Sequence, residues 1–492
     1  MTLREVVLQL EDLALESEGS ADVTDIVSDS RAVTPGTLFV CYPGHTVDGH
    51  RFIPQAVAGG ASAALVCSSE GVALARSAGL PFVRVALESL SLAAALAAKA
   101  VLGDPGSALR IVGVTGTNGK TTTAWLLRQA FARLGRRGAY LGTLGIWAPG
   151  IERELANTTP FSVELMRLVA EVRDSGAQDL AMEVSSHALA EHRVDGLRFE
   201  VCVFTNLTQD HLDFHGTMDA YREAKARLFD LSEGAVFNVD DPVGAEWAAR
   251  TPGAVETSRR HGAPGAGSSR LVGTPVRVGV EAIELRLDLD GATAEFRAAV
   301  GGSFNVDNLL SAAGALVALG YDLRETAHAL HGVKPAPGRF ESVPNDQGIG
   351  VLVDYAHTPD ALAKLLDAVR ELTTGRVIAV FGCGGDRDRT KRPIMGRAAA
   401  ERADIAVATS DNPRTEDPDA ILRDIVPGLV TAKQSLTIVD RAEAVAKAIE
   451  LAEPGDVVVV AGKGHENYQV IGRTKHPMDD RDLVRRGLEA RR

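Results

Sequence analysis

Ile111-Val112-Gly113-Val114-Thr115-Gly116-Thr117-Asn118-Gly119-Lys120-Thr121-Thr122 is the stretch on which the fold turns. An apolar run leads into a glycine-bearing turn. Ala124, Leu127, Phe131 and Leu134 then recur at helical spacing until Gly135 offers a stop. A strand, a tight turn and a helix N-terminus in that order gather backbone N–H groups around a polyphosphate. Lys120 reaches the outer phosphates, and Thr121 offers a hydroxyl to Mg²⁺. The strict pattern has a glycine five residues before Gly119, where this chain has Val114, so the loop is the shorter Gly-x-x-Gly-Lys-Thr form. An ordinary strand-to-helix turn is the competing reading, and the helix that follows favours the phosphate loop.

Outward from this loop, strand-like and helical patterns alternate almost throughout. Apolar runs at Thr37–Tyr42, Ala63–Cys67 and Leu80–Val85 flank a helix-like Ile53–Ala58. An Ala-rich segment, Leu90–Leu102, then gives way to Gly103-Asp104-Pro105-Gly106-Ser107, a linker by composition. Lys334-Pro335-Ala336-Pro337-Gly338 marks a second boundary. The segment His261–Arg270 reads as a Gly/Ser-rich loop, and Glu281–Phe296 alternates as an antiparallel excursion does. With 492 residues and roughly 150 per domain, the expectation is an α/β protein of three domains. Residues 1–107 form a small N-terminal α/β domain, 108–334 a central parallel-sheet domain with the phosphate loop, and 335–492 a C-terminal α/β domain.

A formal charge of −13 argues against a general nucleic-acid or anionic-membrane surface. No uncharged apolar run reaches the ~18 residues of a membrane span. Glu5, Glu11 and Asp12 interrupt the start, which therefore lacks the apolar core of a signal peptide. Cys41, Cys67, Cys202 and Cys383 form no C-x-x-C pair and lie in or beside apolar runs, as buried thiols of a reducing compartment do. A cytoplasmic protein is expected.

Seven polar segments stand at or just after the ends of strand-like runs. They are the phosphate loop, Glu183–His187, Thr205–His211, Asp354–His357, Gly382–Arg387, Asp411–Arg414 and Gly462–Glu466. Open α/β sheets bind ligands at that edge. Glu183, at a strand end, is a candidate oxygen ligand for Mg²⁺, which takes few carboxylates besides substrate phosphates. His211, between Asp210 and Asp213, reads equally as a ligand or as a hydrogen-bonded surface histidine. Arg414, after a rigid Asn412-Pro413, and Arg387 are forked guanidiniums suited to a carboxylate, with surface ion pairs as the alternative.

Taken together and in order, the motifs from about Ser28 to Glu466 resemble those of the Mur ligases, and within them the diaminopimelate-adding members. The resemblance rests on Thr115–Thr122, Glu183–His187, Asn206–Asp213, Gly302–Asn308, Gly338–Glu341, Asp354–Pro359, Gly382–Arg387, Asp411–Arg414 and Gly462–Glu466. It implies a first domain that binds a uridine nucleotide, a second that binds ATP and a Rossmann-like third that takes the incoming amino acid. By the same resemblance, Ser28, Ser30, His45, Thr46 and Val47 contact the uridine diphosphate. Asn157, Thr158, Thr159, Ser185 and Arg193 hold the muramoyl-dipeptide. Glu191 stands where the family often has Gln, and an acid beside an anionic substrate leaves it outside the expected site.

Gly116, Thr117, Asn118, Gly119, Lys120, Thr121 and Thr122, with Asn305, Arg339 and Asp354, are implied to bind ATP. Lys225 falls at the family's carbamylated lysine and, so modified, joins Thr121, Glu183 and His211 around Mg²⁺; Lys120, Glu183, His211 and Lys225 form the catalytic set. Arg387, Asp411, Asn412, Pro413, Arg414, Gly462 and Glu466 match the diaminopimelate pocket, whose extra carboxylate relative to lysine suits Arg414.

The implied activity is the ATP-dependent addition of meso-2,6-diaminopimelate to UDP-N-acetylmuramoyl-L-alanyl-D-glutamate through an acyl phosphate. Hinged domains would close to keep water out. A monomer is expected. A lysine-adding ligase of the same family and a folylpolyglutamate synthase-like ligase are the alternatives. A GTPase-like switch is disfavoured, because no Asn is followed by Lys.

Overall fold

The computed structural model describes every residue of the chain except 45, 46, 266 and 492. It divides into two compact units. One is Met1–Val272 with Leu310–Ala329; the other is Gly273–Leu309 with Leu330–Arg492.

The first unit holds two sheets. A five-stranded sheet runs in the order Ala14–Glu18, Phe82–Val85, Ala61–Val66, Thr37–Val40, Asp25–Val27. It is parallel except where Ala14–Glu18 meets Phe82–Val85. Ile53–Ala58 is helical as its pattern predicts, and the Ala-rich segment forms the helix Leu90–Val101. That helix buries Ala93, Ala94, Ala97 and Ala98 in a core shared with Met166, Leu168 and Val169 of the helix Ser162–Asp174. Small side chains let the two helices approach closely, and Ser162 Oγ donates to Ser91 O at 3.1 Å. The linker-like Gly103–Ser107 therefore lies against a continuous core rather than in a gap. Its turn is made by Asp104 at φ 45° and Pro105.

The second sheet of this unit carries the phosphate loop. Val255–Ser258, Ser232–Asn238, Phe199–Phe204, Arg110–Thr115, Asp179–Glu183 and Gly138–Gly142 are parallel neighbours in that order. Antiparallel Gly145–Ala148 and Ile151–Arg153 close one side. Val201, Val203, Ile111, Val112, Leu180 and Ala181 are buried, as strands covered on both faces require. Ser269–Val278 adds to Val255–Ser258 in parallel and carries the chain toward the second unit. Here the structure corrects the expected loop His261–Arg270. Its last two residues are strand, because Arg270 sits opposite Glu256 in the ladder and donates Nε and Nη2 to Glu256 Oε2 at 2.8 and 2.6 Å.

The second unit contains the expected antiparallel excursion as the hairpin Ile283–Leu289 with Ala292–Ala298. Its six-stranded sheet runs Glu341–Ser342, Gly350–Asp354, Val457–Ala461, Val377–Cys383, Ile405–Ser410, Gln434–Thr437. All of its neighbours are parallel except the first pair. The architecture is α/β, with three mainly parallel sheets.

Among the described residues no helix is long and apolar enough to cross a membrane. All four cysteines are free, but only Cys41 and Cys202 are buried; Cys67 and Cys383 are partly exposed. Burial pushes the Cys202 and Cys383 thiols up to about 12 and Cys67 to about 11.

Candidate functional site

In the first unit, the ladder aligns the strand ends. Val114 pairs with Glu183, and Thr115 with Phe204, so the phosphate loop, Glu183–His187 and Thr205–His211 emerge at one edge. The turn needs its glycines. Gly119 caps the helix Lys120–Arg133 at φ 88°. Gly116 sits at φ 146°, and a Cβ there would lie 2.0 Å from Thr205 Oγ1.

The loop is braced from the next strand end. Thr117 N donates to Asn206 O at 2.8 Å, and Asn118 N to Asn206 Oδ1 at 2.9 Å. Thr208 N donates to Thr117 Oγ1 at 2.9 Å, and Thr205 Oγ1 to Asn118 O at 2.5 Å. Lys120 Nζ folds back on Gly116 O and Thr117 O, each at 2.9 Å.

Glu183 is fully buried. Its carboxylate accepts from Thr121 Oγ1 at 2.9 Å, Thr143 N at 2.8 Å and Thr143 Oγ1 at 3.2 Å, and from the Tyr140 hydroxyl. Thr121 and Glu183, both named from sequence, thus meet directly. Thr143 Oγ1 lies 3.1 Å from Thr158 Oγ1, and Thr159 Oγ1 donates to Glu183 O at 2.9 Å. Ser185 N donates to Thr159 Oγ1 at 3.1 Å, while Ser185 Oγ caps the helix Ser186–Ala190.

Lys225 projects from the helix Met218–Asp230 into the same region. It is 1% exposed, and its Nζ donates to Gly116 O at 2.8 Å, the carbonyl that Lys120 also uses. Burial first, and the Lys120 charge second, hold its amine well below the usual lysine range, with Asp210 opposing. His211 stands at φ 51° and stacks edge-on against His187, ring centres 4.8 Å apart. Burial and His211 lower His187; burial, His187 and His211 lower His215.

Arg193 differs from expectation in its company. Its Nε and Nη2 donate to Glu191 Oε2 at 2.8 and 2.6 Å, its Nη1 donates to Thr159 O at 2.9 Å, and its plane lies 4.0 Å over Phe161. Glu191, set aside in the sequence as repelling substrate, is the partner that holds this arginine. Ser30 Oγ donates to Gln55 Oε1 at 3.1 Å, Ser28 is exposed, and Val47 O accepts from Gly44 N at 3.1 Å. His45 and Thr46 lie outside the described residues. Asn157 is exposed beside Thr158.

In the second unit, Asn305 is buried; its Nδ2 donates to Gly301 O at 2.6 Å and its Oδ1 accepts from Asn308 Nδ2 at 2.8 Å. Asp354 accepts from Phe340 N at 2.7 Å and Ala356 N at 2.8 Å, yet burial raises its carboxyl above the usual range against Arg339 and those N–H groups. Arg339 lies 4.8 Å over the Tyr355 ring.

The ends of Ile405–Ser410 and Val457–Ala461 bring Asp411–Arg414 beside Gly462–Glu466. Asn412 Nδ2 donates to Glu466 Oε2 at 2.9 Å. Asn412 Oδ1 accepts from Val470 N at 2.9 Å, and Gly385 N donates to Asn412 O at 2.9 Å. Arg414 holds a left-handed backbone, φ 52°, and its Nη1 donates to Gly385 O at 2.7 Å. Strain of this kind persists where the surroundings over-determine it. Arg387 is exposed on the adjoining loop. Gly462, at φ 117°, leaves the space before Asp411 open.

Two cations here were missed in the sequence. Lys463 is fully buried among Asp411, Asn412 and Glu466. Arg392 is fully buried against Glu416 and Asp424, and its Nη2 also donates to Gly384 O at 3.4 Å. Lys463 had a signal, since it lies inside the strand-end segment Gly462–Glu466. Arg392 had none, because its partners come from a later helix and loop.

Three family models match the chain. They are "Mur ligase family, catalytic domain" over residues 22–110, "Mur ligase middle domain" over 114–316 and "Mur ligase, glutamate ligase domain" over 338–464. The chain is 48% identical over 476 residues, 96% of its length and 95% of the relative's, to a UDP-N-acetylmuramoyl-L-alanyl-D-glutamate--2,6-diaminopimelate ligase of Gloeobacter violaceus. It is 42% identical to a ligase of the same name from Geobacillus kaustophilus, over 96% of each. A solved structure of a ligase of that name superposes with a TM-score of 0.68 at 33% identity, covering 95% of both chains. The MurF ligase of Thermotoga maritima in complex with ADP shares the fold, at TM-score 0.62 and 19% identity over 96% of this chain and 99% of that one. With all three sheets covered by matching models and near-complete overlap with close relatives, this chain belongs to the Mur ligase family.

Proposed function

We infer that this chain uses ATP to join meso-2,6-diaminopimelate to the D-glutamyl γ-carboxylate of UDP-N-acetylmuramoyl-L-alanyl-D-glutamate, a step in making the peptidoglycan precursor. The observation that carries this is the 48% identity, across 96% of the chain, with a ligase named for that reaction. The geometry of both strand edges supports it.

In this reading residues 1–107 take the uridine nucleotide, with Ser28, Ser30 and His45–Val47. Residues 108–334 take ATP through Gly116–Thr122, and 335–492 take the amino acid. Asn305, Arg339 and Asp354 are assigned to adenine, phosphate and ribose. Asn157, Thr158, Thr159, Ser185 and Arg193 hold the dipeptide.

The donors present suit Mg²⁺. Thr121 and Glu183 supply oxygen ligands side by side. Among the described residues no cluster of three or more His, Cys, Asp or Glu could hold a metal alone, as befits an ion that relies on phosphate oxygens. Thr121, Glu183, His211 and a carbamylated Lys225 would hold it. The ion would supply positive charge against the phosphates. Lys225 suits carbamylation because CO₂ adds to a neutral amine: an N–C bond forms, one proton leaves, and an acidic oxygen ligand results. Its burial supports that neutral form.

The chain's own groups then have defined work. The loop N–H groups and Lys120 grip the β- and γ-phosphates and neutralise charge as the γ-phosphoryl group moves. The γ-carboxylate of the D-glutamyl residue attacks phosphorus, the bond to ADP breaks, and an acyl phosphate forms. Asp411, Asn412 and Glu466 face the amino acid's ammonium, while Arg414 and Arg387 take carboxylate. A neutral amine attacks the acyl carbon and phosphate leaves. Fixed positions, rather than new covalent chemistry, supply most of the acceleration. Free thiols and the lack of an apolar membrane-crossing helix among the described residues support a cytoplasmic enzyme, which we take to act as a monomer.

The test is to supply purified protein with ATP, Mg²⁺ and the nucleotide dipeptide, plus diaminopimelate or L-lysine, and to measure phosphate and tripeptide. Diaminopimelate should be the preferred amine. No product with either would sink the ligase reading, and preference for lysine would overturn the substrate alone.

A further inference from the structure

The Gly462–Glu466 turn encloses a cation that no assignment above uses. Lys463 has no exposed surface. Its Nζ lies 3.1 Å from Asn412 Oδ1, 3.2 Å from Glu466 Oε2 and 3.6 Å from Asp411 Oδ1. A lysine ammonium has three donors and no acceptor, so in a dry interior it must spend them on protein oxygens. Here it donates to Asn412 and Glu466, with the Asp411 carboxylate close by, and all three residues are already assigned to the amino-acid pocket.

The charges then count unevenly. Two carboxylates, Asp411 and Glu466, face one ammonium. Arg441 also acts on Asp411 and Glu466, but Asp480 accepts its Nε at 2.7 Å and its Nη2 at 2.6 Å, so that buried pair adds no net charge. The floor of the pocket therefore keeps one net negative charge. It also keeps an open acceptor: Asp411 Oδ1 is buried without a hydrogen-bond partner among the described residues, and Lys463 at 3.6 Å lies beyond hydrogen-bond reach. An open buried acceptor on a floor of charge minus one suits an ammonium group. The arginines Arg387 and Arg414 on the adjoining loops suit the carboxylates.

We propose that Lys463 is the residue that sets the charge of this floor and thereby selects an amino acid of zero net charge over one carrying net charge plus one. This rests on the ligase reading above. Lys463 is a positioning residue. It touches no substrate; it holds Glu466 and Asn412 in register and cancels one of the two carboxylates. Diaminopimelate, with two ammonium groups and two carboxylates, is neutral overall. Lysine, lacking one carboxylate, is a cation. Without Lys463 the floor would carry two uncompensated negative charges and would favour the cation.

The experiment compares kcat and KM for diaminopimelate, L-lysine and ATP in wild type, Lys463→Met and Lys463→Arg. In Lys463→Met the KM for diaminopimelate should rise about tenfold or more, and the ratio of kcat/KM for diaminopimelate over lysine should fall by about the same factor. The KM for ATP should stay within about twofold, because the Lys463 ammonium itself meets only residues assigned to the amino acid. Lys463→Arg keeps the charge and should keep the selectivity ratio, even if both amino acids bind more weakly. If Lys463→Met does not fold, Lys463→Gln, which keeps a donor without the charge, gives the same readout. A merely structural lysine would weaken both amino acids alike, so an unchanged ratio in the uncharged variant overturns the proposal, as does an equal rise in the KM for ATP. A wild type inactive with both amino acids would instead remove the ligase reading. A wild type that selects diaminopimelate, with an uncharged variant that selects it equally, removes only the role of Lys463.

Discussion

Two buried lysines have opposite surroundings. Lys225 of the first unit is 1% exposed and Lys463 of the second is 0% exposed, so solvent distinguishes them hardly at all. Lys225 Nζ meets a backbone carbonyl, the face of Tyr221 and a second lysine nearby. Lys463 Nζ meets two carboxylates and an amide oxygen. Burial alone is therefore no guide to what a lysine does. One environment favours an uncharged amine available to an electrophile; the other salt-bridges the same side chain between two strand ends.

The comparison can be broken most directly at Lys225. If Lys225 is the charge-stabilising ligand proposed above, Lys225→Met should lower kcat for phosphate release by about 100-fold or more. Its melting temperature should hold or rise, because an amine buried without a counter-charge costs free energy. A variant of wild-type activity would remove Lys225 from the catalytic set. Lys463→Met should show the reverse stability pattern, a loss of about 3 kcal/mol by denaturant unfolding, because it leaves the Asp411 and Glu466 carboxylates without the cation that faces them both. Equal stability of the two variants would dissolve the contrast.

A titration separates them more finely. Lys225 has a folded-state value below its usual 10.5, so the unfolded chain binds the extra proton between those two values. Stability from this group then rises with pH across that window and is lost as pH falls through it, with a slope approaching about 1.4 kcal/mol per pH unit. Unfolding measured against pH in CO₂-free buffer, where the amine is unmodified, should lose that slope in Lys225→Met. An unchanged slope would mean the amine is charged in the fold. His465 adds a weaker trend of the same sign in acid. Burial, then Arg339 and Arg481, lower it to about 4 from 6.5, and His465→Gln should flatten the fall in stability between those values.

The smallest effect concerns Arg193. Because Glu191 already occupies its Nε and Nη2, Glu191→Gln should lower the KM for the nucleotide dipeptide a few-fold by freeing charge for the substrate. A higher KM would show that Glu191 orients the arginine rather than competing for it.

Much of this was legible in the chain because it is local. The strand, glycine turn and helix of Ile111–Arg133 are contiguous, and parallel sheets put polar segments at strand ends, which is why Thr121 and Glu183 could be named together and are found in contact. The hairpin after Glu281 announced itself by alternation. What stayed hidden was pairing across distance. Lys463 meets Asn412, 51 positions earlier, and Arg270 becomes strand because of Glu256 in the preceding one. Glu191 looked repulsive in isolation and is attractive in the fold because Arg193 turns back on it. The roles of Asn305, Arg339 and Lys225 came through family resemblance, since no local pattern distinguishes them from structural residues.

The bracing of the phosphate loop by Thr205, Asn206 and Thr208 has a consequence for the entropy of binding. A free glycine-bearing loop must be ordered as its ligand arrives, at about 1–2 kcal/mol of backbone entropy for each residue fixed. Here that ordering is met during folding, by hydrogen bonds from a neighbouring strand end. Polyphosphate thus meets a cradle already in shape, and a change at Asn206, which touches no phosphate in this reading, would weaken nucleotide binding by returning the loop its freedom.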